Sequence, residues 1–331
     1  EVFPLSRFKI LAMPLLIVLH PQLIFTQSYT NTDATTISLA SVSICIIVRA
    51  IKRGLTMNAS LLLGFLLGWL ALSKHTGLSI VPALGLGVLA ATLGRGEALS
   101  SALKKIAAAG MVFTATCGWW FVRNYYEFSG DILGSRTMYE TWSKILPRKD
   151  GVIVHPWPEV HQLGWWRYVF FDFFGLFGYM NRYVYRPAYV VYFLYMIASI
   201  AGWIRYAIIR GKAAGDAAIA SENTQNASAN ARSALENAQE VSSSKEEKMI
   251  WFIFLLCPLL NLAAMITATL LKVTGPHGRY LFPSIVAIDA LMIAGLFKFG
   301  DRFGKWATIV LLALHLAVSL GSWAVYYGPL G

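Results

Sequence analysis

Residues 57–93 read MNASLLLGFLLGWLALSKHTGLSIVPALGLGVLAATL. Two apolar runs, 57–73 and 77–93, are parted only by the polar break Lys74-His75-Thr76. Runs of this length and apolarity match the roughly 20 residues needed to cross a hydrocarbon core. The short polar break then reads as a tight turn at one membrane surface. The pattern repeats outward on both sides. Further runs lie near 8–25, 34–51, 106–122, 187–209, 249–271, 281–299 and 306–326. The fold expected is all-α: a polytopic transmembrane helical bundle of about nine spans. A tenth stretch, 165–180, is aromatic and carries Arg167 and Asp172, which fits an interfacial or re-entrant segment.

Composition agrees. The chain is 56% hydrophobic with a mean hydropathy of +0.56, outside the soluble norm. The net charge of +11 would raise nucleic acid as a partner for a soluble chain. Here the basic residues cluster at span ends, so the charge sets orientation and no nucleic-acid partner is expected. Cys45, Cys117 and Cys257 all lie inside apolar runs. They read as small buried residues, without disulfide or metal spacing.

Arg7, Lys9, Arg49, Lys52, Arg53, Arg95, Lys104, Lys105, Arg205, Arg210, Lys212, Lys298, Arg302 and Lys305 fall on one set of ends. The opposite short loops hold only Lys74, Lys272 and Arg279. The positive-inside rule assigns the first set to the cytoplasm. Three blocks follow. Residues 1–209 form a membrane domain with a long outer loop, 123–186. Residues 210–248 form a polar cytoplasmic linker, disordered or partly helical. Residues 249–331 form C-terminal membrane helices. The start, Glu1-Val2-Phe3, lacks both Met and a signal-peptide pattern. It is expected to follow a missing upstream segment, a processed start being the other reading.

The polar residues of interest fall on the outer side. Asp33 has two readings. It caps the following helix, or it lines an outer cavity as base, metal ligand or acceptor for sugar hydroxyls. Lys74 and His75 form a simple outer loop, or Lys74 holds a lipid phosphate as a point charge. Arg123 and Asn124 stand at a span end among aromatic residues, with Asp131 in the Gly-Asp turn beyond. Arg279 offers a planar fork of donors for phosphate or carboxylate in GPHGRYLFP, residues 275–283. His277 and Tyr280 flank it. Asp289, inside the next run, is expected to make a structural hydrogen bond. His155 and His161, six apart in HPWPEVH, lack helical metal spacing. Hydrolase and nucleotide-loop motifs are absent.

Five segments, PQLIFTQSYTNTDA (21–34), ALSKHTGLSIVP (71–82), WWFVRNYYEFSGDILG (119–134), FFGLFGYMN (173–181) and HGRYLFPSIVAI (277–288), together resemble the polytopic membrane glycosyltransferases of the GT-C class. The nearest likeness is to bacterial membrane proteins related to the dolichyl-phosphate-mannose and aminoarabinose transferases. The resemblance covers most of the chain. It implies a lipid-linked sugar donor on a polyprenyl phosphate, a cell-envelope polysaccharide acceptor, and a site on the non-cytoplasmic face of a bacterial cytoplasmic membrane. It also implies two earlier spans, with the main catalytic carboxylate in the loop between them. Asp33 matches the remaining acidic position. Lys74, Arg123 and Arg279 match positive positions beside the lipid phosphate, with His75, Asn124, Asp131 and Tyr280 around them. No cofactor is assigned; a divalent metal stays open. A transporter or flippase of lipid-linked saccharide, or a non-catalytic envelope-assembly protein, would use the same outer face.

Overall fold

The computed structural model describes residues 7–29, 31–145, 148–149, 152–153, 157–178, 180–222, 231–271 and 274–327. Its elements are helices, with two strand pairs of two residues each, 148–149 with 152–153 and 176–177 with 182–183. A chain in lipid must satisfy its backbone internally, which selects helices. The helices are α1 (Arg7–Val18), α2 (Pro21–Gln27), α3 (Asp33–Arg53), α4 (Met57–Ser73), α5 (Val81–Leu93), α6 (Leu99–Glu127), α7 (Ser135–Ile145), α8 (Leu163–Phe174), α9 (Arg186–Glu222), α10 (Ala231–Leu270), α11 (Ile285–Phe297) and α12 (Asp301–Tyr327). Two 3-10 segments, His75–Ile80 and Gly278–Ser284, lead into α5 and α11.

The protein is an integral membrane protein, an all-α polytopic bundle. Every apolar run read from the sequence is helical, and length ranks the nine candidate spans. Among the described residues, seven helices are long and apolar enough to cross, and an eighth if α1 and α2 count as one span. That pair bends by 52° where Pro21 starts a new helix, as proline favours at a first helical position. α4 has only 17 residues, about 25 Å, less than a 30 Å hydrocarbon core. The aromatic stretch gives α8, whose 12 residues reach about 18 Å and cannot span. The polar 210–248 stretch is helical at both flanks, as the end of α9 and the start of α10.

Close packing in lipid relies on small residues. Gly64 and Gly68 of α4 lie four apart, and a methyl group on Gly64 would sit 2.2 Å from the Ala109 carbonyl oxygen of α6. The core runs through Ile44, Ile47, Leu70, Leu84, Tyr192, Phe254, Phe282 and Ile293. Asn261 of α10 ties both 3-10 segments to it, donating to Ser79 Oγ at 2.7 Å and accepting from Ser284 Oγ.

The basic ends converge. Lys9 pairs with Asp301 at 3.3 Å, Arg95 with Glu246 at 3.1 Å, and Arg205 donates to the Lys298 carbonyl at 3.0 Å. Asp33, Lys74 and Arg279 gather at the other ends of their helices.

Candidate functional site

The site starts with a turn. Asn31 donates to the Thr26 carbonyl, and its Oδ1 accepts the Asp33 backbone N–H at 2.6 Å. This Asn side chain replaces backbone turn bonds and fixes the entry to α3. Thr32 holds the cap position, and Asp33 lies in the first turn. Asp33 therefore does not cap α3; its carboxylate turns sideways to the ammonium of Lys74, with which it forms a hydrogen-bonded ion pair. Lys74 can reach because α4 ends there in extended backbone. Its Nζ also stands 4.6 Å from the centre of the Tyr280 ring, a cation–π contact.

Beside this pair lies Asp172 of α8, 1% exposed. Its Oδ1 accepts from Gln22 Nε2 at 3.2 Å, and its Oδ2 from the Arg279 backbone N–H at 3.0 Å. Gln22 is itself clamped: Nε2 donates to the Leu176 carbonyl at 3.2 Å and Oε1 accepts the Leu176 N–H at 2.9 Å. Burial pushes the Asp172 carboxyl up to about 6, against the pull of the Arg279 N–H and cation; nearby Asp33 adds to the rise. A desolvated carboxylate behaves this way when donors cannot replace all its lost water.

Gly278 sets the contact between this loop and α8. A methyl group there would lie 2.1 Å from the Val169 carbonyl oxygen and 2.4 Å from the Phe173 nitrogen. Only a residue without a side chain lets the two backbones meet, and the meeting delivers the next N–H to Asp172. The Arg279 guanidinium then donates from Nη1 to the Tyr29 hydroxyl at 3.1 Å. Its Nε is buried without a hydrogen-bond partner among the described residues. His277 packs between Trp157 and Tyr280, with ring centres 5.7 and 5.1 Å away. Burial and the Arg279 and Lys74 cations push it down to about 3, so it is neutral at ordinary pH.

Asp33, Lys74, Arg279 and Tyr280, four of the residues singled out in the sequence, thus come together. The backbone of His75 opens the 3-10 segment after Lys74; its side chain is outside the described residues. The remaining three make local contacts in α6 and the turn after it. Arg123 pairs with Glu127 one helical turn on, at 2.7 Å, and lies over the Trp120 ring. Asn124 donates to the Ile132 carbonyl at 3.1 Å. Asp131 accepts the Thr137 N–H at 2.9 Å; the α7 N-terminal amides hold its carboxyl below its usual range. The Asn124 and Asp131 bonds close the α6–α7 connection on itself.

Sequence reasoning named Asp172 without placing it in the site, and passed over Gln22, Tyr29 and Trp157. The available signal was Asp172 itself, the one carboxylate in an aromatic run. Asp289 also departs from expectation. Its Oδ2 is buried without a hydrogen-bond partner among the described residues, as is the hydroxyl of Tyr195 on α9. No group of three or more His, Cys, Asp or Glu among the described residues could hold a metal ion. His155 and Asp150 lie outside the described residues. No protein-family model, curated protein or solved structure matches the chain.

Proposed function

We propose that this protein transfers a sugar from a polyprenyl-phosphate donor to a cell-envelope acceptor, on the non-cytoplasmic face of a bacterial cytoplasmic membrane. The observation that carries the reading is the network of two carboxylates, Asp33 and Asp172, and two cations, Lys74 and Arg279, at the end of the bundle opposite its basic end. Charges held half-buried at a membrane edge are costly and typically serve function. The two carboxylates differ in environment: one is ion-paired, while the other takes up a proton near pH 6. Such a division of roles suits acid–base work.

In the proposed step, a carboxylate accepts the proton of the acceptor hydroxyl. The acceptor oxygen bonds to the anomeric carbon, the bond from that carbon to the phosphate oxygen breaks, and the electron pair leaves with the polyprenyl phosphate. Lys74 and the free Nε–H of Arg279 stabilise that departing charge. Asp33 stands against the Lys74 ammonium, and Asp172 against the Arg279 backbone N–H. The full natural protein, reconstituted with radiolabelled polyprenyl-phosphate sugars, tests the reading. Transfer that falls at least about a hundredfold in Asp33→Asn, Asp172→Asn and Arg279→Ala supports it. A folded protein that binds these donors and turns none over refutes it.

Two rivals each have one feature in their favour. Asp33 and Lys74 neutralise each other as an ion pair, as a purely structural lock in an assembly protein would have them. Asp289 and Tyr195, buried within their spans, are what a proton-coupled transporter of lipid-linked saccharide would carry. Donor movement across a vesicle bilayer without sugar transfer would select the second.

A further inference from the structure

We propose that the protein binds one anionic phospholipid on the side of α8 that faces away from the charged network, with its phosphate on Arg167 and an acyl chain in the groove between α8, α9 and α11. The proposal is independent of the transferase reading. An apolar groove of about 630 Å³ is walled by Trp166 and Phe170 of α8, Tyr189 and Phe193 of α9, and Leu281 and Met292 on and before α11. A smaller pit of about 160 Å³ adjoins it, sharing Arg167 and Phe171 and bounded by Tyr168 and Tyr183. The two tyrosines give this pit its polar groups. One cavity suits a hydrocarbon chain and the other suits a small polar head.

Charge decides which head. Arg167 lies over the Phe171 ring, 5.7 Å from its centre, and among the described residues it has no ion-pair partner. Among the described residues that line the two cavities, Arg167 is the one charged side chain. The rim is therefore positive and calls for an anion. Arginine suits phosphate because its planar donors pair with two oxygens at once.

Helix geometry separates this place from the candidate site. Arg167 and Asp172 are five residues apart, which turns them about 140° from each other around α8. A phosphate on Arg167 is thus on the bilayer side, while Asp172 and Arg279 face the bundle. The chain-wall residues Trp166, Val190 and Phe193 are exposed, so the groove opens laterally to lipid. That position fits a resident membrane phospholipid.

The test uses the full chain in nanodiscs with photoactivatable phosphatidylglycerol or phosphatidylcholine of identical acyl chains, read as labelled peptides. The expected result is phosphatidylglycerol labelling of α8, α9 and α11 peptides, about tenfold above phosphatidylcholine. Arg167→Ala abolishes the preference and Arg167→Lys keeps part of it; the residue is on the surface, so both variants fold. Met196→Trp, which fills the groove, lowers labelling with either lipid. Equal labelling by the two lipids, a preference that survives Arg167→Ala, or label confined to other helices would overturn the proposal. Displacement of phosphatidylglycerol by an equimolar polyprenyl phosphate would overturn its choice of occupant.

Discussion

Acidification should stabilise this protein through Asp172, and Asp172→Asn should remove that response. The carboxyl takes up a proton at about 6 in the fold, against 3.8 ordinarily. The folded state thus holds the proton more tightly than the unfolded one, so the sign is the reverse of the usual salt-bridged carboxylate. Above pH 6 the buried charge costs stability. As pH falls from 6 to 4 the cost disappears, and below 3.8 the gain is complete. The full difference is about 3 kcal/mol, of which about 2 kcal/mol is recovered between pH 7 and pH 4.5. Burial is nearly total, so solvent screening takes little away. The assay is chemical unfolding in detergent micelles at several pH values, for wild type and Asp172→Asn. Subtracting the variant removes the titration of all other groups. The wild-type-minus-variant stability should rise by about 2 kcal/mol from pH 7 to 4.5. A flat difference, or one that falls with acid, would refute the buried-carboxylate account.

Gly278→Ala should destabilise by about 1–3 kcal/mol, since its methyl group meets the α8 backbone on two atoms; the same unfolding measurement checks it. It should also enlarge the pH response, because a buried Asp172 that loses the Arg279 N–H is held still further above its ordinary value. Asp33→Asn with Lys74→Met in a double-mutant cycle should give a coupling of about 1 kcal/mol or more, above the value for an exposed pair, because both side chains are mostly buried. No measurable coupling would mean that the ion pair is incidental. Asp131→Ala should cost about 1 kcal/mol as a lost helix cap while leaving sugar transfer unchanged; a large activity loss would put the α6–α7 turn back in the site. Asn261→Leu leaves Ser79 and Ser284 without their shared partner and should cost about 1–3 kcal/mol in thermal stability assays.

The bundle was legible because a bilayer leaves the backbone few choices: a long apolar run must be a helix. Length alone did not reveal where helices break. Pro21 starts α2 at a 52° bend from α1, inside what reads as one apolar run, 8–25. The site was legible only as a face. Asp33, Lys74 and Arg279 were grouped correctly because each interrupts an apolar run at the same end. Arg123, Asn124 and Asp131 shared that sidedness yet bond locally, Arg123 within α6 and the other two across the α6–α7 turn. Asp172 was hidden for another reason. Its partners Gln22 and Arg279 are 150 and 107 residues away, and one sequence carries no signal of which distant residues meet.

The arrangement explains why Asp172 can stay buried at all. An unpaired carboxylate deep in protein costs several kcal/mol, and here two donors come from backbone-anchored groups. The Gln22 amide is held at both ends by Leu176, and the Arg279 N–H is placed by Gly278 against α8. Neither donor can swing away, yet neither carries a full charge. The guanidinium points to Tyr29 instead. Burial raises the Asp172 carboxyl more than these donors and the nearby cation lower it, whereas Asp131, held by amides but open to solvent, is lowered. Fixed neutral donors with the cation held one group away leave the carboxyl with an affinity for a proton near pH 6, the range in which a base can both take a proton and give it up.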